Sequence, residues 1–409
     1  MSQIQKLLLE KINSNKDLIN DWFKEGFKNN PAIFYNSVDL RHSGFKIAPI
    51  DNNCYPAGFN NLSQISRDKA KKAILEFLKN NYPDVKKILL IPENHTRNFK
   101  YLENILVLKS VLENDSKIEV EIGSLIDDLD DNLEINLPND DKIILNKLIQ
   151  TKGRIVTKLG FDADLVIINN DFTNFPPAII KNIEQDIIPS INLGWNQRTK
   201  SKHFNIYENL ALELAKLIDI DVWLIDAIHK NCQNIDFKNK QNIDELAKKT
   251  DEILTNIKNK YKEYDVKEEA YCYVKADSGT YGMAMMTIKD TSEILDINKK
   301  QRNKMNMIKG NIVNDRVIIQ EGIPTIDRIN NIIAEPMIYL INGKVVGNLS
   351  RLNEQRDQNI SLNSAGMEFK DMLNISDENL NIGGKKEDIF TIYEVIAKLS
   401  ALAAAKELN

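Results

Sequence analysis

Ten residues, Tyr273-Val-Lys-Ala-Asp-Ser-Gly-Thr-Tyr-Gly282, join an apolar strand, a lysine near its end and a loop with two glycines. This combination suits a nucleotide triphosphate. Glycine lets backbone N–H groups approach oxygens that a β-carbon would hold away, and Lys275 adds the charge. The order excludes a P-loop, where the lysine follows the glycines in G-x-x-x-x-G-K-[ST], and no Rossmann fingerprint is present.

A lysine first and a flexible loop after it is the order of the phosphate-covering loops of protein kinases and ATP-grasp enzymes. No H-R-D or D-F-G element follows, which disfavours a kinase. By itself the segment also reads as a β-turn between two strands. Downstream, Arg316-Val-Ile-Ile-Gln-Glu-Gly-Ile-Pro324 reads as a buried strand that stops at Gly322 and Pro324. Its end, Gln320, Glu321, Gly322 and Ile323, is a candidate hinge whose backbone groups would meet an adenine edge. A hairpin follows, with an Asn342-Gly343 turn between apolar runs 334–341 and 344–352. Asn-Gly in that setting is a strong hairpin signal. Arg351 lies near the end of its second strand.

Lysine strand, glycine loop, hinge strand and arginine-bearing hairpin, in this order, resemble the nucleotide-binding half of an ATP-grasp ligase. Tyr273 to Met285, Gln320 to Gly322, Glu335-Pro336 and Leu362-Asn-Ser-Ala-Gly-Met367 further resemble the proteobacterial type of glutamate-cysteine ligase, as do stretches at 37–62, 91–98 and 194–204. The resemblance implies an α/β fold with an N-terminal, pre-ATP-grasp-like α/β domain and a C-terminal ATP-grasp domain. Residues 1–60 would be helices and a metal-binding hairpin joining the ATP-grasp core, 61–265 an α/β substrate domain, and 266–409 the nucleotide-binding domain. The implied reaction joins the γ-carboxylate of L-glutamate to L-cysteine through an acyl phosphate, the first step of glutathione synthesis, with ATP and Mg2+. Another ATP-grasp amino-acid or peptide ligase, such as a glutathione synthetase, and a non-catalytic ATP-binding scaffold are the alternatives.

Roles follow for individual residues. Lys275 is expected on the α- and β-phosphates, with Ser278, Gly279, Thr280, Tyr281 and Gly282 covering the β- and γ-phosphates. Arg351 is expected on the γ-phosphate and the acyl-phosphate transition state, where a planar bidentate donor suits spreading charge. Magnesium calls for oxygen ligands. The usual carboxylate and Glu-x-Asn of many ATP-grasp enzymes are missing after Arg351. Val38 to Asn53 offers a substitute, a hairpin turning at His42-Ser-Gly44 with Asp39 and Asp51 on paired strands and Asn53 on the face of Asp51. It resembles the metal hairpin of glutathionylspermidine synthetases and eukaryotic glutathione synthetases, with Asp in place of Glu. The same residues also suit a turn held by local side-chain hydrogen bonds. Whether Glu335 joins this site stays open. For the amino acids, Arg198, Arg41, Arg97 and Asn363 are candidates, and Phe59-Asn60-Asn61 is expected in the same pocket. Loops after the strands of an α/β sheet are where ligands bind.

These residues need a large scaffold, and 409 residues exceed the roughly 250–300 at which single cores stop growing. The chain has three widely spaced cysteines, Cys54, Cys232 and Cys272, which argue against disulfides or a zinc site. A net charge of -5 without a basic stripe makes nucleic acid an unexpected partner. No apolar run approaches the roughly 18 residues of a membrane helix, and the N-terminal run is too short for a signal peptide, so the cytoplasm is expected. The partners expected are L-glutamate, L-cysteine and ATP, with a homo-oligomer as one option. Helices are expected at 69–80, 98–113, around 141–150 and 241–263, and strands at 87–91, 118–122, 164–168 and 187–193. That alternation predicts a parallel sheet with helices.

Overall fold

The computed structural model describes residues 1–113, 118–279, 284–308 and 312–409. Helices α1 (Gln3–Ser14) and α2 (Lys16–Asn29) come first. A capping box starts α1: the Ser2 hydroxyl accepts from the Gln5 N–H, and the Gln5 side chain accepts from the Ser2 N–H. A hairpin of β1 (Tyr35–His42) and β2 (Ile47–Asn53) follows, then α3 (Gln64–Asn81). The next region runs β3 (Lys87–Pro92), α4 (Phe99–Glu113), β4 (Glu119–Ser124), β5 (Asn132–Asn136), β6 (Lys142–Thr151), β7 (Arg154–Thr157), β8 (Leu165–Asn169) and β9 (Asp186–Ile188). Helix α5 (Lys200–Ile218), β10 (His229–Gln233) and α6 (Lys240–Glu263) lead into β11 (Cys272–Ala276) and β12 (Met285–Ile288). Short elements α7 (Ser292–Leu295), α8 (Lys299–Met305), β13 (Met307–Ile308) and β14 (Ile312–Val313) precede β15 (Arg316–Glu321) and β16 (Arg328–Ile329). The chain closes through β17 (Ile332–Ile341), β18 (Lys344–Leu352), β19 (Glu368–Asp371), β20 (Leu380–Asn381) and α9 (Lys386–Lys406).

Among the described residues β13 and β14 form a two-stranded sheet of their own, and three larger sheets organise the rest. One is antiparallel in the order β19-β18-β17-β1-β2, so the N-terminal hairpin is stitched onto strands nearly 300 positions later, with Asp39 opposite Met337. The second, β10-β15-β11-β12, carries the lysine strand. The third has the order β5-β6-β4-β3-β8-β9, with β4, β3, β8 and β9 parallel. The β17–β18 turn places Asn342 at φ 48° and Gly343 at φ 70°, the left-handed pair that a tight right-twisted hairpin needs.

Helix α6 buries Ile243, Leu246, Ile253, Leu254 and Ile257 along one stripe against the β10–β15 side of the second sheet. Each such side chain contributes roughly 1.5–3 kcal/mol by leaving water. Its core also takes in α1, α2, α5 and α9. The α3, α4, β3 and β4 core includes Met337, Tyr339 and Leu349 of the hairpin sheet. The apolar cores thus connect segments from both ends of the chain around the space between the sheets. The three cysteines are free and buried.

Two expected elements are corrected. Residues 142–151 form a strand, not a helix. Ile143 and Leu145 are buried while Ile144 between them is 43% exposed, a period of two that suits pairing with β5. The strand expected to Leu193 stops at Ile188, because Pro189 has no N–H for a ladder, and 191–193 form a short 3-10 turn.

Candidate active site

A cavity of about 680 Å³ opens between the three sheets. Lys275, near the end of β11, stands opposite Met285 of β12 and Ile318 of β15. Its Nζ donates to the Ile50 carbonyl at 2.8 Å and to Gln320 Oε1 at 2.7 Å. Burial pushes the Lys275 ammonium down to about 7, although Asp51 pulls it back up. Ser278 and Gly279 follow it along the cavity wall. Gly279 has φ +95°, and among the described residues no atom lies within 4 Å of where a Cβ would go; the left-handed backbone is what calls for glycine there. Thr280, Tyr281 and Gly282 lie outside the described residues.

The root of this loop is pinned to α5. The Asp277 carboxylate accepts from the Ser201 N–H at 2.7 Å and from its hydroxyl at 2.6 Å, and the Asp277 carbonyl accepts from the Lys200 N–H at 2.6 Å. An anion at a helix N-terminus satisfies N–H groups that have no partner within the helix.

Beside Lys275 in the cavity lining, Asp39 and Asp51 are partners on β1 and β2, and Ser37 pairs with Asn53. All four line the wall. Asp39 takes Arg351 Nη2 at 3.0 Å, and Arg351 Nη1 reaches Glu335 at 3.0 Å. Asp51 takes Lys200 Nζ at 2.5 Å. Burial raises the Asp39 carboxyl above its usual value; Arg351 opposes this, while Asp51 and Glu335 add to it. Burial would raise Asp51 as well, but Lys200 and Lys275 outweigh it and hold that carboxyl low. Arg351 is likewise held charged, its two carboxylates overcoming burial.

The remaining sequence candidates divide. Asn363 lines the cavity. Arg41 also reaches its wall, but it is 1% exposed and is committed to Glu335 and to the carbonyls of Gln358 and Ile360. Its role there is to hold Glu335, which also receives the Leu362 N–H at 3.0 Å. Arg97 is exposed and not part of the wall. Arg198 is not part of it either. It is buried against Glu407 at 2.7 Å, because burial of both partners makes the ion pair obligatory.

The hinge expectation is corrected. Strand β15 lies between β10 and β11, so the Glu321 N–H goes to the Ile228 carbonyl and the Gly322 N–H to the Tyr271 carbonyl, each at 2.8 Å. Glu321 is fully buried on Lys46 at 2.7 Å, Gly322 packs against the Tyr271 ring, and Ile323 packs with Ala48 and Ala227. Only Gln320 faces the cavity; its Nε2 has no hydrogen-bond partner among the described residues.

Lys200 and Trp195 were not singled out from the sequence, although the loop that carries them was. Lys200 sits over the Trp195 ring at 4.5 Å and opens helix α5. A lysine in the first helical turn is repelled by the helix dipole, so it signals an anionic partner. Of Phe59, Asn60 and Asn61, the two asparagines line the cavity, whereas Phe59 is buried in the core with Tyr35 and Tyr339.

The family model described as glutamate-cysteine ligase matches residues 10–408. A crystal structure of a protein from Methylobacillus flagellatus KT, provisionally named gamma-glutamylcysteine synthetase, is 36% identical, covers 100% of this chain and 97% of that one, and has a TM-score of 0.90. A glutathione synthetase-like effector from Globodera pallida, in its apo form, has 11% identity over 86% of this chain and 75% of its own, with a TM-score of 0.37. D-alanyl-alanine synthetase A from Vibrio cholerae has 13% identity over 76% and 80%, also at 0.37. A search of curated proteins finds no match.

Proposed function

The chain belongs to the glutamate-cysteine ligase family, and from that premise we propose that its central cavity activates the γ-carboxylate of glutamate with ATP and joins it to the amine of cysteine. The observation that carries this reading is the meeting of Lys275, Arg351 and the facing pair Asp39 and Asp51 on one cavity wall. Cations for a triphosphate and oxygen ligands for its counter-ion stand side by side there. In this reading the lysine strand and glycine loop form an ATP-grasp nucleotide site.

The donor set fits magnesium. Among the described residues no group of three or more His, Cys, Asp or Glu could hold a metal ion. Mg2+ does not need one: it takes one or two carboxylates and completes its shell with water and phosphate oxygens. Burial and its acidic neighbours disfavour the charge on Asp39, and a cation beside it would relieve that cost. Asp39, Asp51 and the Asn53 amide would hold the ion, neutralising phosphate charge.

Bound MgATP would supply the phosphoryl group that makes a carboxylate into an acyl phosphate; the amine then attacks the acyl carbon, and inorganic phosphate leaves. The protein's own part is positioning and charge. Lys275 would meet the α- and β-phosphates, and Ser278 and Gly279 would cover the β- and γ-phosphates. Arg351 stabilises the transferring group with a planar fork while Glu335 and Asp39 hold that fork in place. No protein nucleophile is required; holding two substrates and a phosphate in line supplies much of the rate. Asn363 is read as a substrate contact at the same wall.

The test is phosphate release from MgATP with glutamate alone, and with cysteine, 2-aminobutyrate, glycine or spermidine added, products being identified by mass. Formation of γ-glutamylcysteine is the expected result. Tight ATP binding with no amine-stimulated release would remove the ligase assignment and favour a nucleotide-binding scaffold.

A further inference from the structure

The cavity continues past the acidic hairpin to the parallel sheet. Strand β3 is followed by α4 and then by β4 on one side, whereas β8 pairs with β3 on the other, with Pro92 opposite Asn169. The strand order therefore reverses between β3 and β8. A crevice forms at the C-terminal ends of strands at such a reversal, and ligands of open α/β sheets bind in it. The loops that leave these two strands bring Glu93 and Asp171 to the cavity wall.

Helix α4 begins at the same place. Asn98 caps it, its Oδ1 accepting from the Tyr101 N–H at 3.2 Å. Lys100 and Asn104, one turn apart on one face, both line the cavity. Asn104 is 1% exposed, and its Oδ1 accepts from the Gly58 N–H at 2.8 Å and the Phe59 N–H at 2.9 Å. Those two donors fix which end of the amide is which. Its Nδ2 has no hydrogen-bond partner among the described residues. A buried donor held in one orientation without an acceptor costs free energy unless a ligand supplies the acceptor.

We propose that this end of the cavity is a subsite for the head group of an α-amino acid, with the α-carboxylate on Asn104 Nδ2, Lys100 and the N-terminus of α4, and the α-ammonium between Glu93 and Asp171. Lys100 is at the rim, its exposed side chain paired at 2.9 Å with the half-buried Glu103, and an exposed lysine is free to exchange that partner for a substrate carboxylate. The subsite rests on the ligase reading. The head group would belong to glutamate, its side chain running towards Arg351, or to cysteine, whose ammonium would first give a proton to Glu93 or Asp171 so that the same nitrogen can attack the acyl carbon.

Separate KM values for glutamate, cysteine and ATP test it. Asn104→Asp keeps an oxygen for the Gly58 and Phe59 N–H groups but places a second carboxylate oxygen against the substrate carboxylate. Asn104→Asp and Lys100→Ala should each raise the KM for one amino acid, Asn104→Asp by about tenfold or more, and leave the KM for ATP unchanged. Whichever amino acid responds is the occupant. Glu93→Gln should raise the same KM. Should Asn104→Asp fail to fold, as read by circular dichroism and melting, the Lys100→Ala and Glu93→Gln results decide. Amino-acid KM values within about twofold of wild type in the folded variants would overturn the subsite. A wild-type protein that makes no γ-glutamyl product would instead overturn the ligase reading on which it rests.

Discussion

Asp39 and Asp51 are partners across the β1–β2 hairpin, yet each is held by a cation from a distant part of the chain, Arg351 at 3.0 Å and Lys200 at 2.5 Å. The two carboxylates therefore sit in one cavity with different electrostatic burdens, Asp39 raised and Asp51 lowered from the usual range.

If both hold magnesium, Asp39→Asn and Asp51→Asn should each raise the Mg2+ concentration that gives half-maximal turnover. The fall in kcat should be at least about 10–100-fold, the cost of losing even an outer-shell partner of a metal. Turnover against Mg2+ at saturating ATP measures this. An unchanged magnesium curve in both variants would leave the hairpin as scaffold.

Lys275 gives a pH signature. Burial lowers its pKa to about 7, so its ammonium is present below that value and is lost above it. An arriving triphosphate favours the charged form. Binding of MgATP at pH 8 should therefore take up close to one proton, and much less at pH 6. Calorimetry in two buffers of different ionisation enthalpy reads the uptake. Lys275→Arg should bind without it, since arginine stays charged throughout. No uptake at pH 8 in the wild type would show that Lys275 is already protonated there.

How much of this was legible depended on how local the signal was. The Asn342-Gly343 turn, the α6 stripe and the Asp39–Asp51 pairing follow from neighbouring residues, and the structure has all three. What failed was information carried by distant neighbours. Residues 142–151 read as helical until β5 is seen beside them. Gln320 to Ile323 looked like a free strand end because nothing local shows that β10 occupies one edge and β11 the other. Arg198 and Lys200 are two residues apart in one basic loop, and only the fold sends one to Glu407 and the other to Asp51.

That divergence has a measurable consequence. Arg198→Met should cost about 3–5 kcal/mol of stability, because it strands the buried Glu407 carboxylate, while the KM values for both amino acids stay as they are. Glu407 is itself held down to about 2: burial would raise it, but Arg198 and His203 outweigh burial. A depressed carboxyl stabilises the fold above its unfolded value of 4.5 and loses that contribution as pH falls towards about 2. Urea unfolding of wild type and variant at pH 7 and pH 4 reads both effects. A variant with normal stability and a raised amino-acid KM would return Arg198 to the substrate site.

Asp226 should behave in the opposite sense. Its carboxyl is pushed up to about 8 by burial, with Glu208 and Glu321 adding to the shift and Lys46 opposing it. Lys46 is already matched by Glu321 at 2.7 Å, so a charged Asp226 would be a third, uncompensated ion. An acid raised from 3.8 to about 8 keeps its proton in the folded state while the unfolded chain loses it. Stability therefore declines as pH climbs through that window, and is flat above it. Asp226→Asn cannot ionise, and its amide oxygen can still accept from the Ala227 N–H, a bond of 2.8 Å in the native protein. The variant should melt higher than wild type at pH 8, by a few degrees, with a smaller gain at pH 5. Thermal melts at several pH values measure the difference. A gain that did not grow with pH would mean that Asp226 ionises like an exposed carboxylate, and that Lys46 carries both acids.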